Sequence, residues 1–145
     1  FDAEFTSYGG EDTVFAYRLA QSFPNGIFYS DRARAWHHQH HRLRPYLTRL
    51  TGYGRYNLPR IVGAHSEIVA VLAADYAWPL PGRYFLRKRL LGRLLFNPFT
   101  RLLAWLALGL LPYPASNYPV RFLFVASVVT GLRRHLREHS SLPNK

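Results

Sequence analysis

The sequence predicts an α/β chain that is mostly helical, with one or two short strands confined to residues 1–57 and a basic, apolar helical region over residues 58–145. Three observations carry this reading. Gly9 and Gly10 lead into the acidic pair Glu11-Asp12, and from there Val14, Phe15, Tyr17 and Leu19 recur at helical spacing. The turn residues Pro24-Asn25-Gly26 precede Ile27-Phe28-Tyr29, a run short enough and rich enough in β-formers to be a strand. Beyond residue 57, long apolar runs alternate with arginines and are closed by prolines, which is a helical pattern.

The first segment, Phe1-Asp2-Ala3-Glu4-Phe5, alternates apolar and acidic residues and suits a short strand or a turn of helix. A loop follows over Thr6 to Gly10. The helix from Glu11 to about Ser22 starts with two carboxylates, which the macrodipole favours in a first turn. After the strand candidate come Arg32-Ala33-Arg34-Ala35-Trp36 and then His37-His38-Gln39-His40-His41, which hold four of the seven histidines. Imidazole is a common metal ligand. In an extended segment His38 and His40 face one way and His37 and His41 partly the other, so one or two reach a single ion. The segment reads either as ligands or as a polar turn before a helix.

Arg42 to about Tyr56 places Leu43, Tyr46, Leu47, Leu50 and Tyr53 at three- and four-residue spacing, an amphipathic helix with a basic face. Gly52-Tyr53-Gly54 reads as its break or its end. Leu58-Pro59 opens the next segment, and Glu67–Trp78 reads as a strongly apolar helix closed by Pro79-Leu80-Pro81-Gly82. Tyr84–Leu95 mixes arginines with leucines and is the clearest candidate for a helix lying in a membrane interface. Leu102–Leu111 and Phe122–Val129 are apolar runs, each short of the ~20 residues that span a bilayer. They fit re-entrant or interfacial segments, or a buried helical hairpin.

Composition narrows the function classes. With 48% hydrophobic and 16% aromatic residues, the chain is not disordered. It has no Cys, which excludes disulfides and thiolate metal sites. It has no Met, position 1 included, so it is expected to begin inside a longer protein. The net charge of +11 is uneven. Residues 1–31 hold five acids against Arg18. The remainder holds 18 basic residues against Glu67, Asp75 and Glu138. A basic tail points to nucleic acid or an anionic membrane. The leucine-rich runs among the arginines favour the membrane, and no nucleic-acid partner is expected.

The segments Phe1-Asp2-Ala3-Glu4-Phe5, Gly9-Gly10-Glu11-Asp12 and Tyr17-Arg18-Leu19 occur in order, followed by the histidine segment and a helix ending in Tyr53-Gly54-Arg55. In this combination the first 56 residues resemble the C-terminal half of a GT-A-type glycosyltransferase domain, in particular the family 2 enzymes. The resemblance implies an inverting hexosyltransferase that uses a nucleotide-sugar donor. Asp12 would be the general base for an acceptor hydroxyl, with Glu11, Gly9 and Gly10 at the acceptor. His38, with His37 and His40 close behind, would complete a Mg or Mn site at the leaving diphosphate, and Arg42 would hold phosphate. Ala3 departs from the family, which often has an acidic residue there. The family's nucleotide-binding strands and Asp-x-Asp motif would lie upstream of Phe1, so the chain alone is expected to be inactive.

The expected acceptor is a lipid or an envelope glycan, and the expected location is the cytoplasmic face of a membrane. Three other readings compete. A GGDEF-type cyclase has its signature on a hairpin and in another order. A basic nucleic-acid-binding module would bind DNA with a salt dependence and ignore lipid. In a non-catalytic membrane scaffold, Glu11-Asp12 is only a helix start.

Overall fold

The structure, a computed structural model, describes residues 9–26, 30–32, 34 and 42–140. Among these residues the chain forms helices α1 (Glu11–Ser22), α2 (Leu43–Tyr56), α3 (Leu58–Ala64), α4 (Arg83–Leu95), α5 (Pro98–Leu110) and α6 (Asn117–Ser140). Two short 3₁₀ turns, Ser66–Ile68 and Ala74–Tyr76, lie between α3 and α4.

The molecule is built on the crossing of α2 and α6. α6 has 24 residues and is about 36 Å long at 1.5 Å per residue. The two backbones meet where both helices carry glycine. A Cβ on Gly54 would lie 2.2 Å from the Val128 carbonyl oxygen, and one on Gly131 would lie 2.1 Å from that of Thr51. Only glycine permits this approach. Around the crossing, Leu58, Val62, Val69, Ala74, Ala77, Phe96, Ala126, Val129 and Leu132 form the main core. Leu47, Ala104 and Leu123 form a second cluster, where α5 joins α2 and α6. Arg55 clamps Glu138 through two contacts, at 2.8 and 3.2 Å, close to the end of α6.

α5 begins at a well-made cap. The Asn97 side-chain oxygen accepts the Phe99 and Thr100 N–H groups at 2.8 and 3.0 Å, and Pro98 occupies the first turn. The Asn97 amide also donates to the Leu94 carbonyl at 2.7 Å, and the Thr100 hydroxyl to that of Leu95. The last carbonyls of α4 are therefore satisfied by the first residues of α5, which ties the two helices into one tight corner.

Several expectations are corrected. Among the described residues there is no strand, so the α/β, GT-A-type expectation is overturned by an all-helical arrangement. The physical reason is periodicity: in α2 and α6 the apolar residues recur every three or four positions and pack helix against helix, leaving no two-residue alternation there for a sheet to use. The strand candidates Phe1–Phe5 and Ile27–Tyr29 lie outside the described residues.

The continuous helix expected over Glu67–Trp78 is also replaced, by the two 3₁₀ turns and a left-handed Ala73 with φ 55°. The Ala74 N–H reaches back to the Val69 carbonyl at 2.9 Å, and this winding buries Val69, Ala74 and Ala77 together. The break expected at Gly52–Gly54 does not occur, because α2 runs through it. No helix among the described residues is long and apolar enough to cross a membrane, and the Phe122–Val129 run lies in the core of the fold.

Candidate functional site

Gly9 and Gly10 both take positive φ, 83° and 103°, which L side chains rarely adopt. Gly10 is the N-cap of α1 and has no side chain with which to cap it. The Gly10 carbonyl accepts the Val14 N–H at 3.0 Å, and the helix winds from there. The loop is held from the other side of the sequence. The Asn57 side-chain amide donates to the Gly9 carbonyl at 2.6 Å, and Asn57 is itself buried between α2 and α3. A Cβ on Gly9 would sit 3.5 Å from the Tyr53 ring, so the loop lies flat on that ring. Burial pushes the Tyr53 hydroxyl up to about 12.

The two carboxylates of the first turn part ways. Glu11 is half-buried, and its Oε2 is enclosed without a hydrogen-bond partner among the described residues. Asp12, one residue on, is exposed. This divergence follows from the roughly 100° rotation per residue of an α-helix. Gly9, Gly10, Glu11 and Asp12 thus form one small, solvent-facing corner with bare backbone on one side and a carboxylate on the other. Below it Val14 packs with Ile61 and Ile68, which fixes α1 on α3 and the turn that follows.

A polar chain secures the other end of α1. The Tyr17 hydroxyl donates to Glu67 Oε1, Gln21 Nε2 donates to the Tyr17 oxygen at 2.7 Å, and His65 Nδ1 lies 3.7 Å from the same Glu67 oxygen. The Tyr17 and His65 rings meet edge to face, 5.0 Å apart. The hydrogen bond from Tyr17 to Glu67 raises the Tyr17 hydroxyl and lowers the Glu67 carboxyl from their ordinary values.

Arg42 is exposed immediately before α2, and no hydrogen bond or ion pair joins it to Glu11 or Asp12 among the described residues. His37, His38 and His40 lie outside the described residues. No three His, Asp or Glu side chains among the described residues converge as a metal-ligand set. The described part of the chain therefore gives no donor set for Mg or Mn. The sequence marked the acidic corner but not its supports. Tyr53 and Asn57 are 44 and 48 positions away from Gly9; Tyr53 reads as part of the amphipathic helix and of the Tyr53-Gly54-Arg55 ending, and Asn57 falls between two segments. Protein-family models, curated proteins and solved structures give no match to this chain.

Proposed function

We propose that the corner at Gly9–Asp12 activates an acceptor hydroxyl in an inverting glycosyl transfer. The observation that carries the reading is the separation of the acidic pair: Asp12 faces solvent directly after two left-handed glycines, while Glu11 turns inward. An exposed carboxylate beside side-chain-free backbone can receive a hydroxyl at hydrogen-bond distance. The Asp12 carboxylate takes the hydroxyl proton, and the oxygen attacks the anomeric carbon of a nucleotide sugar. The bond from that carbon to the nucleoside diphosphate breaks with inversion, and the diphosphate leaves with the bonding electrons. Asn57 and Tyr53 act as positioning residues, because they hold the Gly9 backbone still beneath the acceptor. The acceptor class is a lipid or a glycan hydroxyl. This reading rests on the loop and on the sequence resemblance, not on the fold, and it requires a donor-binding half outside these 145 residues.

The test is nucleotide release from a panel of sugar nucleotides, with Mg or Mn and with lipid and glycan acceptors. It uses a polypeptide that joins this chain to a donor-binding half, as wild type and as Asp12→Asn. Both proteins are first shown to melt alike, since a first-turn charge contributes only about 0.3–1 kcal/mol. Loss of about 100-fold or more in turnover is expected on removing a general base. A folded variant as active as wild type would leave Glu11-Asp12 as a helix start and nothing more.

A further inference from the structure

We propose that α4 and α5 seat this chain in the plane of an anionic bilayer, with a lipid phosphate held in the groove between α2 and α5. The inference is independent of the transferase reading and is tested without turnover.

α5 is apolar around nearly its whole circumference, a pattern that belongs to a helix buried on all sides. Among the described residues it is buried on one side only. Ala104, Trp105 and Leu108 pack toward α2 and α6. On the opposite side Phe99, Leu102, Leu103, Leu106 and Leu110 follow one another at three- and four-residue spacing and are 47–82% exposed. Five large apolar side chains in a continuous stripe on one helix mark a surface that has an occupant. α4, joined to α5 through the Asn97 corner, exposes Leu86, Leu90 and Leu94 with Arg83, Arg87 and Arg93 interleaved on the same side.

Charge identifies the occupant. Between Asp75 and Glu138 the sequence has ten basic residues and no acidic one. The partner must therefore be apolar and negative at once, over an extended area. A two-fold contact between copies of the chain would set like charge against like. A nucleic acid would meet the arginines and leave the leucines uncovered. An anionic bilayer satisfies both: acyl chains take the leucine stripe and headgroups take the arginines.

The groove lies on the flank of that stripe. It has a volume of about 590 Å³ and shares Leu102 and Leu106 with it. Its polar lining is Arg44, Thr48, Thr51 and Arg101. Arg44 lies over the Trp105 ring, 5.6 Å from the centroid, and Arg101 donates to the Thr130 hydroxyl at 3.4 Å. Neither guanidinium meets a carboxylate among the described residues. The Thr48 and Thr51 hydroxyls donate to the Arg44 and Leu47 carbonyls, at 3.2 and 3.0 Å, so the two guanidinium groups are the donors left for an anion. Beside an apolar wall they match a phosphate ester with its hydrocarbon alongside.

The test is flotation of the purified chain with phosphatidylcholine vesicles, with and without phosphatidylglycerol, at low and high salt. Binding is expected only with phosphatidylglycerol and should weaken with salt. Leu103→Gln/Leu106→Gln should weaken partitioning about tenfold or more, at unchanged circular dichroism and melting. Arg44→Gln/Arg101→Gln should weaken it about tenfold. Equal binding to neutral and anionic vesicles would overturn the proposal on the wild-type chain alone, whatever the variants do. Lipid-free self-association that the leucine variant abolishes would give the stripe to a second copy and overturn it as well. Wild-type binding by the folded arginine variant would remove the groove from the account.

Discussion

α5 and α6 start from similar sequence and end in opposite surroundings. Each contains an apolar run of eight to ten residues, over 102–111 and 122–129. In α6 the run is the centre of the fold: Leu123, Ala126 and Val129 are fully buried. In α5 the outer half stands in solvent, from Phe99 to Leu110. The difference lies in the small residues. Gly131 on α6 faces Gly54 on α2, so backbone meets backbone and the neighbouring side chains interlock on both flanks. α5 packs through Ala104, Trp105 and Leu108 on one face, and nothing among the described residues covers the other. Run length and hydropathy do not separate a core helix from an interfacial one. The presence of a close-approach partner elsewhere in the chain does.

The sharpest way to break this comparison is to make the same change in both helices. Leu123→Ala removes a side chain with no exposed surface and should cost about 2–5 kcal/mol, whereas Leu103→Ala should stay within about 0.5 kcal/mol. Urea denaturation of the two variants reads both values. Similar losses at the two sites would mean that α5 is as well covered as α6.

A smaller effect tests the support beneath the acidic corner. Tyr53 is raised from 10 to about 12 by burial, so its neutral form belongs to the folded state. A raised value gives stability that is fully present below pH 10 and is lost as pH climbs toward 12. The loss is about 2–3 kcal/mol over that window. Tyr53→Phe should flatten the alkaline limb of a pH–stability curve. An unchanged limb would place the titration elsewhere, the raised Tyr17 hydroxyl being the next group to examine.

Much of the helical layout was legible because it is local. The glycine pair and first-turn carboxylates marked the start of α1, and Leu43, Tyr46, Leu47 and Leu50 marked α2 at their own spacing. What escaped was set by distant contacts. Gly52-Tyr53-Gly54 looked like a stop because the residue that needs Gly54, Val128, lies 74 positions away. Glu67–Trp78 looked like one helix because its apolar residues carry no period, and Ala73 gives no sign of the left-handed turn that divides it. A sheet was expected from the resemblance, from Ile27–Tyr29 and from Phe1–Phe5 read as a strand, while the apolar spacing in α2 and α6 was helical. At the site, Glu11 and Asp12 were visible as a pair, but their divergence depends on how α1 is laid against α3. The clamp on Gly9 by Asn57 had no sequence signal at all.

The central contrast is tested most directly by amide hydrogen exchange of the wild-type chain with and without phosphatidylglycerol vesicles. Slower exchange is expected across Arg83–Leu95 and Pro98–Leu110 when vesicles are present, with the middle of α6 protected equally in both conditions. Unchanged exchange in α4 and α5 in the presence of saturating vesicles, or a slowing that appears only in α6, would contradict it.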